Sequence, residues 1–379
     1  MNNNTFEVFD SVTKIPRVQW DKFFKDIPEG YDFFKTLEES GLEQFTFRYA
    51  ALRKNDLVML IAPLFIADFN LDIAVEGWLE KAIGLIRKVF PRFLILKTLF
   101  IGSPFGEHGI LGIDQEEGLQ EAVDGLVSNL IKYSRENKAS LIIFKDFPEE
   151  KLIILSQLLK KGFFKLNSFP TCVNEVKFNS FEEYLKSLGS STRKSLRRKL
   201  KDAHSRAKIT IQTVDSNDEK LEEIYNLYLS THNSGGTKFE KLTKYFFVNI
   251  LKNMQGRAKI FLYYVDGKLG AFNLCFIFDD LFIDKFIGFN YDVSRRHNLY
   301  YLSYCYNIEW CIKNSISYYQ TGQTDYQAKV RLGGRLRPLY VYLKHNNKLN
   351  NILLKALSKI LKPDNFDSDI KDMECLRKE

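Results

Sequence analysis

The sequence predicts an α/β protein made of two tandem units, each a mixed twisted sheet flanked by helices. Short apolar runs that alternate like strands are separated by segments whose apolar residues recur every three or four positions. At 379 residues the chain exceeds what one ordinary hydrophobic core serves, and two domains fit it. The second half carries an ordered α/β series that the first half repeats in outline. Hydrophobic residues at 45% and charged residues at 27% exclude a disordered or fibrous chain.

The first unit, residues 1–178, is expected to open with helices near Trp20–Ile27 and at Tyr31–Ser40. Strands Gln44–Arg53 and Leu57–Phe69 follow, joined by the turn signal Lys54-Asn55-Asp56. A helix at Gly77–Phe90 has no counterpart in the second half. Then come strand Arg92–Gly102, helix Gln115–Asn137, strand Ser140–Phe147, helix Glu149–Lys161 and strand Thr171–Phe178.

The second unit, residues 179–345, begins with a helix or helix pair over Phe181–Ala207, where Leu185, Leu188, Leu196, Leu200 and Ala203 keep helical spacing. Lys208–Val214 alternates as a strand. Helices at Asn217–Thr231 and Phe239–Asn253 enclose the loop His232–Thr237. Three strands follow, Ala258–Val265, Leu269–Phe278 and Leu281–Phe289, the first pair joined by the hairpin signal Asp266-Gly267-Lys268. Asn290–His297 reads as a polar loop, and Asn298 as the cap of a helix reaching Lys313. Strand Ile316–Thr321, a loop or short helix Gly322–Gly334 and strand Leu336–Lys344 close the unit. Residues 346–379 form a tail. Within it, Lys348–Lys362 is a basic amphipathic helix that either packs on its own domain or touches an anionic membrane peripherally.

The net charge of +8 is concentrated: Arg193–Lys208 holds eight basic residues and one acid, Asp202. A protein that coats nucleic acid spreads basic charge over a whole face, whereas one helix carries it here. The N-terminus lacks a basic, apolar leader and no run of 18 apolar residues occurs, so a cytoplasmic protein is expected. The five cysteines form no Cys-x-x-Cys pair and read as reduced thiols, with no metal site.

The β-α-α-β-β-β-α-β order of the second half resembles the GNAT (Gcn5-related N-acetyltransferase) fold. The stretch Ser190-Ser-Thr-Arg-Lys-Ser-Leu-Arg-Arg-Lys-Leu is similar to the start of the catalytic domain in the BioF2-like/CelD-like acetyltransferase group. The closing Tyr319-Gln-Thr-Gly-Gln-Thr-Asp-Tyr-Gln-Ala-Lys-Val-Arg-Leu-Gly-Gly matches the same group, which is related to the FemAB peptidoglycan-bridge transferases with their two GNAT units. The resemblance covers residues 140–345 well and the first half in outline. It implies acyl transfer from acetyl-CoA or another acyl-CoA to an amine, on a small molecule or a cell-envelope amino sugar or peptide. The FemAB-type alternative takes its donor from aminoacyl-tRNA.

Such chemistry needs a phosphate cradle, oxyanion donors and a proton path. The resemblance places the donor near Phe289 and Asn290, whose backbone N–H groups match the oxyanion donors, and along Arg295-Arg296-His297-Asn298. That run lacks the glycines of the family's Gln/Arg-x-x-Gly-x-Gly/Ala signature, which leaves room for another donor or a solvated loop. Asp325, Tyr326 and Lys329 fall within one helical turn: Asp325 to orient or deprotonate the amine, Tyr326 to protonate the leaving group, Lys329 to hold phosphate or oxyanion, or a surface ion pair. Asp284, a carboxylate inside an apolar strand, is a general-base candidate. Arg193 and Arg197, beside a natural helix start, are candidates for an anionic substrate or tRNA backbone. His232 and, in the first unit's glycine-rich turn, Ser103 and His108 complete the substrate-binding candidates. Rivals are a basic nucleic-acid-binding module and a GNAT scaffold that binds an envelope precursor without chemistry.

Overall fold

Fifteen strands among the described residues pair into two separate mixed sheets. The structure is a computed structural model, and it describes residues 4–55, 57–72, 78–114, 119–214, 220–234 and 240–358. Asp56 of the expected turn, Gly235 and Gly236, residues 359–362 of the tail helix and Cys375 lie outside the described residues.

In chain order the first unit comprises β1 (Asn4–Phe9), α1 (Arg17–Phe24), α2 (Tyr31–Glu39), β2 (Thr46–Lys54), β3 (Leu57–Asn70), α3 (Trp78–Val89), β4 (Ile95–Ile101), β5 (Gly112–Ile113), α4 (Leu119–Glu136), β6 (Leu141–Pro148), α5 (Leu152–Lys160) and β7 (Phe164–Asn167). The second comprises β8 (Thr171–Glu175), α6 (Phe181–Ser187), α7 (Ser190–Arg206), β9 (Ile209–Val214), α8 (Leu221–Ser234), α9 (Lys244–Asn253), β10 (Ala258–Val265), β11 (Lys268–Ile277), β12 (Leu281–Phe289), α10 (Tyr291–His297), α11 (Leu299–Lys313), β13 (Tyr318–Gln320), α12 (Tyr326–Arg331) and β14 (Arg335–Arg337). The chain then returns to the first unit through β15 (Leu339–His345) and α13 (Lys348–Leu357).

The first sheet runs β1-β2-β3-β4-β6-β15-β7, with β5 paired to β3. Helix α4 turns Ala122, Val123, Leu126, Val127 and Leu130 onto it, at the spacing that keeps one face apolar. The second sheet runs β14-β8-β13-β12-β11-β10-β9. There α11 packs Leu302, Cys305, Ile308 and Cys311 with Phe261, Phe282 and Tyr319. Helix α8 lies so close on β12 that a Cβ at Gly288 would sit 2.7 Å from the Leu227 carbonyl carbon, so only glycine fits there.

The structure departs from the sequence reading in several places. The expected strand Leu336–Lys344 is two strands in different sheets: β14 pairs with β8, and β15 pairs with β6 and β7. Pro338 stands between them, and without an N–H it cannot continue a ladder. The boundary placed at 178 therefore differs from the observed division. Strand β8 already belongs to the second sheet, while β15 belongs to the first. The expected polar loop Asn290–His297 is helix α10, because the Asn290 side chain accepts the Val293 N–H (3.3 Å) and starts a turn. Over Phe181–Ala207, read as a helix or a helix pair, the structure has the pair, α6 and α7, parted at Gly189. Strands β1 and β7 were not expected; each pairs with a strand distant in sequence.

One difference between the sheets positions the candidate site. In the first, the parallel pair β4–β6 ends with β4 at Ile101↔Phe144, and the loop after β4 occupies the edge along which β6 continues: the Gly109 N–H donates to the Asp146 carbonyl (2.7 Å). In the second, the parallel pair β12–β13 covers only Leu281↔Tyr318 to Ile283↔Gln320. Strand β12 then continues alone on that edge from Asp284 to Phe289.

Candidate active site

Asp284 marks the residue where β12 parts from β13. The ladder between β11 and β12 shifts register at the same place: Cys275 faces Asp284 and Leu274 faces Phe286, leaving Lys285 as a bulge. A bulge bends a strand and re-aims its side chains, which widens the opening. The Asp284 carboxylate accepts hydrogen bonds from Asn273 Nδ2 (2.5 Å) and from the Tyr319 hydroxyl (3.2 Å). Asn307 ties these together, donating through Nδ2 to Asn273 Oδ1 (2.9 Å) and to the Tyr319 oxygen (3.0 Å). The Cys275 thiol also donates to Asn273 Oδ1 (3.0 Å). Burial first, and then the Asp284 charge, push both the Tyr319 phenol and the Cys275 thiol up from their usual ranges. Asp284 is thus held rigidly by a buried polar cluster. Of that cluster the sequence reading singled out Asp284 alone; Asn273, Asn307 and Tyr319 are scattered in sequence and become neighbours only through the sheet.

Lys329 lies on α12, just past the end of β13. It is buried, and its Nζ donates to the Thr321 carbonyl. A tight frame keeps α12 there. Asn174 Nδ2 and the Tyr184 hydroxyl both donate to the Leu332 carbonyl (2.9 and 3.0 Å), and the Tyr304 hydroxyl donates to Asn174 Oδ1 (2.6 Å). A Cβ at Gly334 would sit 2.4 Å from Cys172 Sγ, so the turn after α12 closes only with glycine. Burial raises the Cys172 thiol, and the Thr321 hydroxyl and the Lys329 charge draw it back down.

Asp325 is exposed at the N-cap of α12 with φ of 53°, and its side chain makes no capping bond. Tyr326 is fully buried. Tyr300, on α11, was missed by the sequence reading. Its hydroxyl is buried without a hydrogen-bond partner among the described residues. Burial and the nearby charges of Asp325 and Asp284, in that order, push its phenol well up. Tyr300 thus feels the charges of both Asp284 and Asp325, and Lys329 sits one turn after Asp325. No sequence motif flags a tyrosine in an aromatic-rich helix.

The expected phosphate cradle looks different in place. The Asn290 N–H donates to the Gly270 carbonyl (2.9 Å), and the Phe289 N–H donates to Thr231 Oγ1 (3.0 Å). Both amides are engaged inside the fold, which corrects their reading as oxyanion donors. A hollow of about 490 Å³ at the end of β12 is lined by the side chains of Asn226 and Ser230 and by two carboxylates, Glu223 and Asp292. Asp292 occupies the first turn of α10, where a second anion is disfavoured. Arg295 stacks over the Tyr291 ring (5.4 Å), and the Arg296 carbonyl accepts from Arg206 (3.4 Å). His297 is buried. Asn298 adopts a left-handed conformation between α10 and α11; its side chain donates to the Lys199 carbonyl (3.3 Å) and does not cap α11.

The remaining candidates lie elsewhere. Arg193 donates to the Lys186 and Leu188 carbonyls at the end of α6 (3.1 and 3.3 Å), and Arg197 pairs with Glu182. Lys199 lies over the Tyr301 ring (3.2 Å), so much of the basic helix α7 is tied into the fold. His232 falls on the last turn of α8, not in a loop, and its Nε2 meets the Glu240 carbonyl (3.0 Å). In the first unit, the buried Ser103 hydroxyl accepts the Phe105 N–H (3.2 Å) and shapes its own turn; His108 is half-buried there. Among the described residues no three His, Cys, Asp or Glu side chains gather as a metal site, and no helix is long and apolar enough to cross a membrane.

Solved structures share this architecture. A tandem GNAT protein from the clavulanic acid biosynthesis pathway aligns with a TM-score of 0.56 at 10% identity, over 91% of this chain and 99% of that one. FemX aligns with a TM-score of 0.54 at 15% identity, over 93% and 99%. L-PGS from Bacillus licheniformis aligns with a TM-score of 0.51 at 10% identity, over 89% and 97%. These likenesses show the fold, two GNAT-like units in tandem. No curated protein matches in sequence. A sequence profile of the FemAB-like family, described as peptidoglycan biosynthesis/recognition, matches residues 11–353. With its tandem sheets and nearly its whole length matched, the chain belongs to the FemAB-like family.

Proposed function

We propose that the chain is an N-acyltransferase of FemAB type, moving an aminoacyl group from the ester of a charged tRNA to the amine of a peptidoglycan precursor. The observation that carries the reading is the parting of β12 from β13 at Asp284, with Lys329 bonded to the Thr321 carbonyl just past β13 and Tyr300 within reach of the Asp284 and Asp325 charges. The amine nitrogen attacks the ester carbonyl, and Lys329 stabilises the oxyanion that forms. Asp325, exposed at the mouth, takes the proton the amine gives up. The carbon–oxygen bond of the ester then breaks, and the Tyr300 hydroxyl donates its proton to the departing oxygen. Asp284, held by its cluster, orients the strand edge.

The charge around the donor end supports an ester donor over acyl-CoA. Where a pyrophosphate would rest, Asp292 and Glu223 line the hollow and α10 has no glycine. The basic helix α7 packs beside α10 and α11 and offers its free charges to a larger polyanion. The test is incubation of the purified chain with a labelled aminoacyl-tRNA and a precursor pentapeptide, with acetyl-CoA in a parallel reaction. A labelled amide detected by intact mass supports the proposal. Product from acetyl-CoA alone moves the donor to acyl-CoA, and product from neither removes the chemistry.

A further inference from the structure

We propose that one end of the first unit's sheet is a docking face for an anionic membrane surface. Two helices emerge there. Helix α3 precedes β4, and α13 follows β15. The hydrogen bonds Ser140 N–H to Lys97 carbonyl (2.8 Å) and Asn346 N–H to Ser140 carbonyl (2.9 Å) bring the start of β4, the start of β6 and the end of β15 side by side.

Both helices leave an apolar stripe in solvent. On α3 and the turn after it, Leu85, Ile86, Val89 and Phe90 share a face, with Leu85 62%, Val89 72% and Phe90 66% exposed. On α13, Leu349, Ile352 and Leu353 do the same, with Leu349 77% exposed. Single exposed leucines are ordinary, whereas two apolar stripes at one end of a unit mark an interaction surface.

Charge selects the partner. Residues 81–97 and 348–357 contain no acid, and they carry Lys81, Lys88, Lys97, Lys348 and Lys355 between or beside the apolar positions. Of the acids near α3, Asp72 pairs with Arg87 and Asp68 with Arg92. A second copy pressed on this face would set lysines against lysines, which disfavours self-association. An anionic lipid surface accepts both features, apolar side chains into the acyl boundary and lysines among the headgroups.

The test is co-sedimentation of the full chain with vesicles of phosphatidylglycerol and phosphatidylcholine, and separately with phosphatidylcholine alone. No donor or acceptor is present, so the result is independent of the proposed transfer. Binding is expected only to the phosphatidylglycerol vesicles and is expected to weaken as salt rises. The triple variant Leu349→Gln, Ile352→Gln, Leu353→Gln should weaken it by about tenfold or more, as should Val89→Gln with Phe90→Gln. These positions are exposed, so the melting temperature should stay within a few degrees of the parent. No binding to the anionic vesicles overturns the proposal. So does binding that survives both apolar variants but is lost on reversing charges of α7. Concentration-dependent self-association abolished by the same variants, without vesicle binding, assigns the face to a second copy and also overturns it.

Discussion

Lys329 and Tyr300 carry the sharpest functional expectation at the residue scale, because each holds a polar group buried near where β12 parts from β13. Lys329→Met keeps the length of the side chain and removes the charge. It should lower turnover by about tenfold or more while the protein stays folded. Tyr300→Phe removes a hydroxyl that has no hydrogen-bond partner among the described residues, so the melting temperature should hold while the rate falls. Unchanged rates in both variants would take these groups out of the mechanism. Asp325 and Lys329 were legible in sequence as a spacing on one helical turn. Tyr300, Asn273 and Asn307 were not, because no local pattern distinguishes a polar group aimed at a slot from one aimed at a neighbouring helix.

At the scale of elements, the junction of β15 and α13 carries a pH dependence. His345 is buried, and its Nδ1 accepts the Asn347 N–H (2.9 Å) at the N-cap of α13. Burial pushes its imidazole below the usual value of about 6.5. Below that value the unfolded chain takes up the proton more readily than the folded one. Stability should be level above about pH 6.5 and should fall as the pH drops through the lowered folded value. The check is the difference in melting temperature between the parent and His345→Gln across pH 5 to 8, roughly the range in which an imidazole titrates. A difference independent of pH would mean that the imidazole titrates alike in both states. The same junction shows where sequence reading of elements fails. Apolar alternation located one strand over Leu336–Lys344, and the break that Pro338 makes in it was not read from the sequence. Which sheet each half joins is decided by pairing with β8 on one side and with β6 and β7 on the other, all distant in sequence.

For the whole molecule, the contrast between the two sheets implies a single donor site per chain. Past the β4–β6 pair the Gly109 N–H bonds the Asp146 carbonyl and fills the β6 edge, whereas past Ile283↔Gln320 strand β12 runs on as an edge. The first unit repeats the second only in outline, with an inserted helix, and the catalytic candidates Asp284, Asp325, Tyr326 and Lys329 all fall in the second. Titration of the chain with a non-hydrolysable donor analogue should saturate at one equivalent. A second equivalent of matching affinity would show that the first sheet also opens.

By itself the sequence determined the α/β class, the tandem repeat, the GNAT-like order of the second half and the Tyr319–Gly334 stretch that carries Lys329. These features are local: periodic burial, turn residues and short spacings are written along the chain. Only the tertiary structure decided that β15 returns to the first sheet, that the Phe289 and Asn290 amides are already engaged, and that the loop after β4 fills the β6 edge while β12 runs on past β13. Those outcomes depend on which distant strand or helix reaches each free backbone edge, and strand pairing is chosen by packing of whole faces, which no single stretch of residues encodes.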